Sequence, residues 1–172
     1  MKIQQLSDID EIGRKQRETL YFPKGVTVNT GMASCGIAAG ADKTFERAVA
    51  EFGENKKFQI RKTGCLGFCE MEPLVEIYQK NGPRIVYKNA TQDKITDMVN
   101  GYMEGQFDKK RVLGQMRDPR SLLEEGFLNP LEGFEPVPDI PILEDIPFYG
   151  RQIKIALRNC GYMDPEKIEE YM

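Results

Sequence analysis

The stretch "TGCLGFCEMEPLVEIY", residues 63–78, places two thiols, Cys65 and Cys69, three residues apart in a glycine-bearing turn that runs straight into a strand. The chain has four cysteines in 172 residues, so half of them sit in this one turn. Three readings fit such a pair: ligands of a metal cluster, a redox disulfide, or a loop with no chemistry. A redox pair is the poorer fit, because disulfide oxidoreductases space their thiols by two residues. A zinc site of three thiolates and one weak ligand also stays open.

Upstream, Phe58–Thr63 alternates like a strand and delivers the chain to Cys65. Before it, Val26-Thr27-Val28 reads as a short strand. Then "NTGMASCGIAAGADKTFERAVAEFGE", residues 29–54, reads as a glycine-bearing loop opening a helix with Ala41, Phe45, Ala48, Val49 and Phe52 as its buried stripe. Ser7 is expected to cap a first helix, with Asp10 at the reciprocal position.

Downstream, Leu74–Tyr78 and Arg84–Lys88 form a hairpin around Asn81-Gly82, with Pro83 suiting an edge strand. Thr91 caps a helix with Ile95, Met98, Val99 and Tyr102 on one side, and Gly105 ends it. The expected fold class is α/β: a thioredoxin-like four-stranded mixed sheet with flanking helices over residues 1–105.

Residues 106–147 lack sustained periodicity and read as an extended connector. Five of the ten prolines fall between Pro130 and Pro147, and Ser121 to Pro147 holds seven acids and no base. Residues 148–172 follow as short helices: Phe148–Arg158, then a second start at Asp164-Pro165-Glu166. Ile153, Ile155, Leu157 and Ile168 have little local surface to pack on, which suggests truncation or docking on another subunit.

Composition narrows the chemistry. A net charge of −3 leaves no excess of Lys and Arg to neutralise phosphates, which argues against a nucleic-acid binder. The N-terminus has no apolar signal core and no apolar run approaches bilayer length, so a cytoplasmic protein with reduced thiols is expected. With no histidine in the chain, His-assisted nucleophiles and imidazole zinc sites are excluded.

Cys35 opens the loop after the first strand, and Cys65 and Cys69 the loop after the second. Loops after neighbouring parallel strands leave the same edge of a sheet, so the three thiols are expected to converge. Gly36, Gly64 and Gly67 permit the tight backbone that sulfur ligation needs. Read alone, Cys35 could equally be a small buried hydrophobe. Glu70 and Glu72 flank the turn and read as solvated, the alternative being that their charge lowers a cluster's potential.

"TGCLGFCEMEPLVEI" and "CGIAAGA" resemble the thioredoxin-like 2Fe–2S ferredoxin domain of NADH-dehydrogenase-type proteins, which carries a C-x4-C pair and a C-x3-C pair. The tail "FYGRQIKIALRNCGYMDPEKIEEY", residues 148–171, looks like the start of a flavoprotein subunit of the complex I, NAD(P)-reducing hydrogenase and electron-bifurcating family. The resemblance implies a 2Fe–2S cluster on Cys35, Cys65 and Cys69, with Thr30, where the family has cysteine, as a weak fourth-ligand position. It implies that FMN and NAD(P)H bind a partner flavoprotein domain or subunit, not this chain, which could not oxidise NADH alone. Other iron–sulfur subunits and a ferredoxin are the further partners implied. It places Cys160 in the flavoprotein start rather than among the ligands, and a cis proline at Pro73. The rival reading is a docking module that has lost its cluster together with the cysteine at position 30.

Overall fold

The computed structural model describes residues 3–21, 23–117 and 135–171, without the side chains of Arg17 and Tyr21. Residues 118–134, a large part of the expected connector, lie outside the described residues.

Helix α1 runs Leu6–Tyr21. Its start is fixed by Asp8, whose carboxylate accepts the backbone N–H groups of Gln4 and Gln5 at 2.7 and 3.1 Å, rather than by a Ser7–Asp10 box. Strand β1 is Val26–Gly31, followed by the short helix α2, Ser34–Ala38, and by α3, Ala41–Phe52. The α3 stripe is rotated from the sequence expectation. Thr44 is buried, its hydroxyl donating to Ala90 O at 2.8 Å, while Val49 is 42% exposed. Strand β2, Phe58–Thr63, leads to the thiol turn; β3, Val75–Tyr78, and β4, Arg84–Tyr87, form the hairpin. Helix α4, Ile95–Met103, buries Ile95, Met98, Val99 and Tyr102, and the chain leaves it at Gly105 with φ +69°.

The sheet has five strands, not four, in the order β2-β1-β3-β4-β5. β1 runs parallel to β2, and the remaining neighbours are antiparallel. The additional strand is β5, Val112–Met116, within the stretch read as featureless connector. It shows no alternation because both its faces are covered and all five residues are buried. Gln115 then ties down the returning chain: its amide N–H groups donate to Val137 O and Ile140 O at 3.0 and 2.7 Å, and its oxygen accepts from Val137 N at 2.9 Å. β4 is consequently internal. Pro83 is tolerated there because it precedes the first paired residue, Arg84. This is an α/β layer with a mixed sheet, one strand wider than expected.

Side chains alternate across the strands, so the two sheet faces differ. One face packs Val26, Val28, Val75, Ile77, Ile85 and Tyr87 against α3 and α4 as the main core. The other carries Thr27, Asn29, Arg61, Thr63, Glu76 and Arg84, all buried. Buried polar groups need partners, and the tail supplies several of them. Gly161 O accepts from Arg84 Nη2 at 2.6 Å and from Asn29 Nδ2 at 2.7 Å, and Gly161 N–H donates to the Thr63 hydroxyl at 2.7 Å. Arg61 pairs with Glu170 at 2.6 Å. Arg84 also pairs with Glu76 and lies between the Tyr78 and Tyr162 rings, 4.6 and 4.2 Å from their centroids. Only glycine fits at 161: φ is +90°, and an added Cβ would approach Glu76 Oε1 and Leu66 Cδ2 to 2.8 Å.

The tail therefore docks on this chain's own sheet. Ile153, Ile155 and Ile168 remain 87, 75 and 66% exposed. The expected Phe148–Arg158 helix is shortened to α5, Pro147–Gly150. Gly150 and the β-branched Ile153 and Ile155 favour helix poorly, and Lys154 is drawn to Leu66 O at 3.3 Å instead. The Asp164 start leads only to a 3-10 turn, Ile168–Tyr171.

Candidate metal centre

The pairing of Gly31 with Thr63 brings the ends of β1 and β2 side by side, and Met32 N–H reaches Thr63 O at 2.7 Å. The loops that follow must then leave together. Cys35 rides the first turn of α2, while Cys65 and Cys69 bracket the turn after β2. The three sulfurs lie within 4.8 Å of one another. Cys65 Sγ and Cys69 Sγ are 3.5 Å apart. Two sulfurs bound to one tetrahedral metal at about 2.3 Å sit about 3.8 Å apart, whereas a disulfide requires about 2.05 Å. Gly67, at φ +97°, bends the turn so that its N–H donates to Cys65 Sγ at 3.2 Å. Such donors stabilise a thiolate and tune a cluster's potential.

Exposure is graded across the group: Cys65 is buried, Cys35 intermediate and Cys69 exposed. Burial pushes the Cys65 and Cys35 thiols above their usual range; the Gly67 N–H opposes this at Cys65. Both are therefore protonated at neutral pH without a cation, and metal uptake here must release protons.

Thr30 lies in β1, two residues on from Val28, with its hydroxyl buried and lacking a hydrogen-bond partner. The carboxylate of Glu72, expected in solvent, is instead buried and faces the thiols, while Glu70 is exposed. The Cys35 thiol donates to Glu72 Oε1 at 3.6 Å, and Leu74 N–H donates to Glu72 Oε2 at 2.7 Å. The Glu72–Pro73 bond is cis. The sequence marks Glu72 only by its place just before Pro73-Leu74-Val75, the run that enters the sheet.

Cys160 does not belong to the three-thiol group. It lies behind the turn, its Sγ 2.5 Å from where a Cβ on Gly64 would be. It lines a cavity of about 290 Å³ with Lys154, Tyr149 and Arg158. Sequence reasoning passed over Lys154, whose ammonium also stacks 3.2 Å from the Tyr149 ring centroid. Burial pulls Lys154 down from 10.5 to about 8, against the opposing pull of Glu76 and Cys160. Between those values the folded chain has lost a proton that the unfolded chain still binds, so stability rises with pH across the window. Relative to wild type, K154M is expected to be most favourable below pH 8 and to lose that advantage towards pH 10.5, read from paired urea melts.

No profile of a known protein family matches the chain. It is 26% identical over 78 residues to the NADP-reducing hydrogenase subunit HndB of Solidesulfovibrio fructosivorans, a match covering 44% of this chain and 62% of that one. A solved structure of a thioredoxin-like [2Fe–2S] ferredoxin from Aquifex aeolicus aligns with a TM-score of 0.46 and 15% identity, covering 53% of this chain and 92% of that one. A second, of the wild-type protein, aligns with a TM-score of 0.46 and 16% identity, covering 52% and 97%. The chain thus resembles that hydrogenase subunit over less than half of its own length and under two thirds of the relative's.

Proposed function

We propose that this chain is an electron-transfer module of an NAD(P)H-linked oxidoreductase, with a 2Fe–2S cluster held by Cys35, Cys65 and Cys69. The observation that carries this reading is the convergence of three sulfurs within 4.8 Å, from two loops 30 residues apart in the chain. The donor set fits: soft thiolates suit iron, and a glycine-rich turn offers an N–H to sulfur. When bound, such a cluster takes up and returns one electron at a time. The chain's own part is to hold it, with Cys65 on the dry side and Cys69 towards solvent.

FMN and NAD(P)H belong, on this reading, to a flavoprotein domain or subunit, with other iron–sulfur subunits or a ferredoxin as further partners. The curated relative's name, an NADP-reducing hydrogenase subunit, supports that assignment. Residues 1–105 would form the ferredoxin-like unit and 148–172 the region nearest the flavoprotein. Leu157 and Gln152 stand beside Gly67 of the thiol turn, and Phe148, Ile153 and Ile155 are exposed in the same segment, a surface suited to a partner. Among the described residues no helix is long and apolar enough to cross a membrane.

That exposed segment also favours the rival reading, a docking module without a cluster. Potentiometric titration of anaerobically reconstituted protein separates them. A reversible one-electron couple is expected. A two-electron couple accompanied by a Cys65–Cys69 disulfide, or no couple, would overturn the electron-transfer reading.

A further inference from the structure

A 2Fe–2S cluster needs four protein ligands, and the thiol group supplies three. Thr30, at the position where the resemblance puts a fourth cysteine, offers only a neutral hydroxyl. Glu72 offers a carboxylate oxygen beside Cys35. Its side chain is buried, the residue being 6% exposed, and among the described residues no Lys or Arg forms an ion pair with it.

The donors stand at ligand-like separations. Cys65 and Cys69 are 3.5 Å apart, and Cys35 Sγ and Glu72 Oε1 are 3.6 Å apart. Metal–sulfur bonds of about 2.3 Å and metal–oxygen bonds of about 2.0–2.2 Å give tetrahedral edges of about 3.5–3.8 Å. The Cys35–Glu72 separation is therefore that of two ligands on one metal, and Cys35 Sγ also lies within 4.8 Å of both other sulfurs. Glu72 Oε2 is fixed by Leu74 N–H at 2.7 Å, which holds the carboxylate at the thiols and leaves Oε1 facing Cys35.

The geometry points to Glu72 as the fourth ligand of the cluster, beside Cys35. This rests on the cluster reading above and goes beyond it, because it makes the site complete without a cysteine at position 30. Cys160 is not needed, since it lies behind Gly64 and outside the group.

The test compares wild type with E72Q, E72C, T30V and C160S after identical anaerobic reconstitution with iron and sulfide. The readouts are the rate of iron loss to a chelator and the paramagnetic spectrum of the reduced protein. E72Q keeps the side-chain shape and an acceptor for Leu74 N–H. It is expected to lose iron at least about tenfold faster than wild type. E72C, the second variant should E72Q fold poorly, is expected to hold iron tightly with a spectrum shifted from wild type to an all-thiolate one. T30V and C160S should match wild type in both readouts. An E72Q that keeps the wild-type rate and spectrum overturns the assignment of Glu72. So does an E72C spectrum identical to wild type, or iron held by E72C and not by wild type. Absence of iron from every variant, E72C included, overturns the cluster reading itself.

Discussion

C65S is expected to reduce reconstituted iron to below about a tenth of the wild-type amount. Cys65 is the most buried of the three gathered thiols and receives the Gly67 N–H at 3.2 Å, so its sulfur is the one held most firmly at the site. A serine in its place would have to ionise a far weaker acid in the same dry pocket. Its oxygen is also a harder donor than iron–sulfur chemistry favours. The fold should survive, because one small buried group replaces another, and a far-ultraviolet spectrum like that of wild type would show it. C160S is the matched control: it also removes a thiol, but one outside the group, and it should leave the iron content unchanged. Equal iron in C65S and wild type would place the metal elsewhere.

R84M is expected to destabilise the protein by about 3–5 kcal/mol, read as a lower urea midpoint. Arg84 and Glu76 are 8 and 2% exposed at their side chains, so removing the guanidinium leaves a carboxylate buried beneath the tail. Burial already raises Glu76 towards its protonated form, and Arg84 is the main force opposing that. Gly161 O also loses its 2.6 Å donor, and Tyr78 and Tyr162 lose the cation between them. Amides across 160–164 should exchange faster with solvent as the tail loosens. Replacing both partners with apolar residues, E76L with R84M, should recover much of the loss, because a packed apolar pair leaves no buried charge. A cost below about 1 kcal/mol for R84M would be that of a surface pair, and the tail would then owe little to this contact.

Much of the sheet was legible because its signals are local. Asn81-Gly82 marks the hairpin, and the spacing of Ile95, Met98, Val99 and Tyr102 marks α4. The convergence of Cys35 with Cys65 and Cys69 followed from topology alone: two parallel neighbours end at one edge. What escaped depends on contacts between distant segments. β5 has a glycine and a glutamine among its five residues, and only the covering chain at 135–146 makes them interior. The tail looked partnerless because its partners, Arg61, Arg84, Asn29 and Thr63, lie on a polar sheet face that resembles solvent-facing strand residues in one dimension. Glu72 was misplaced for the same reason. An acid next to a turn reads as solvated until the fold sets a thiol 3.6 Å away.

The most direct measurement is the count of iron and acid-labile sulfide per chain in wild-type protein reconstituted without oxygen. About two of each are expected, with a paramagnetic signal appearing on one-electron reduction. A single zinc bound with no sulfide, or a colourless protein that takes up neither iron nor sulfide, would contradict a 2Fe–2S centre at Cys35, Cys65 and Cys69.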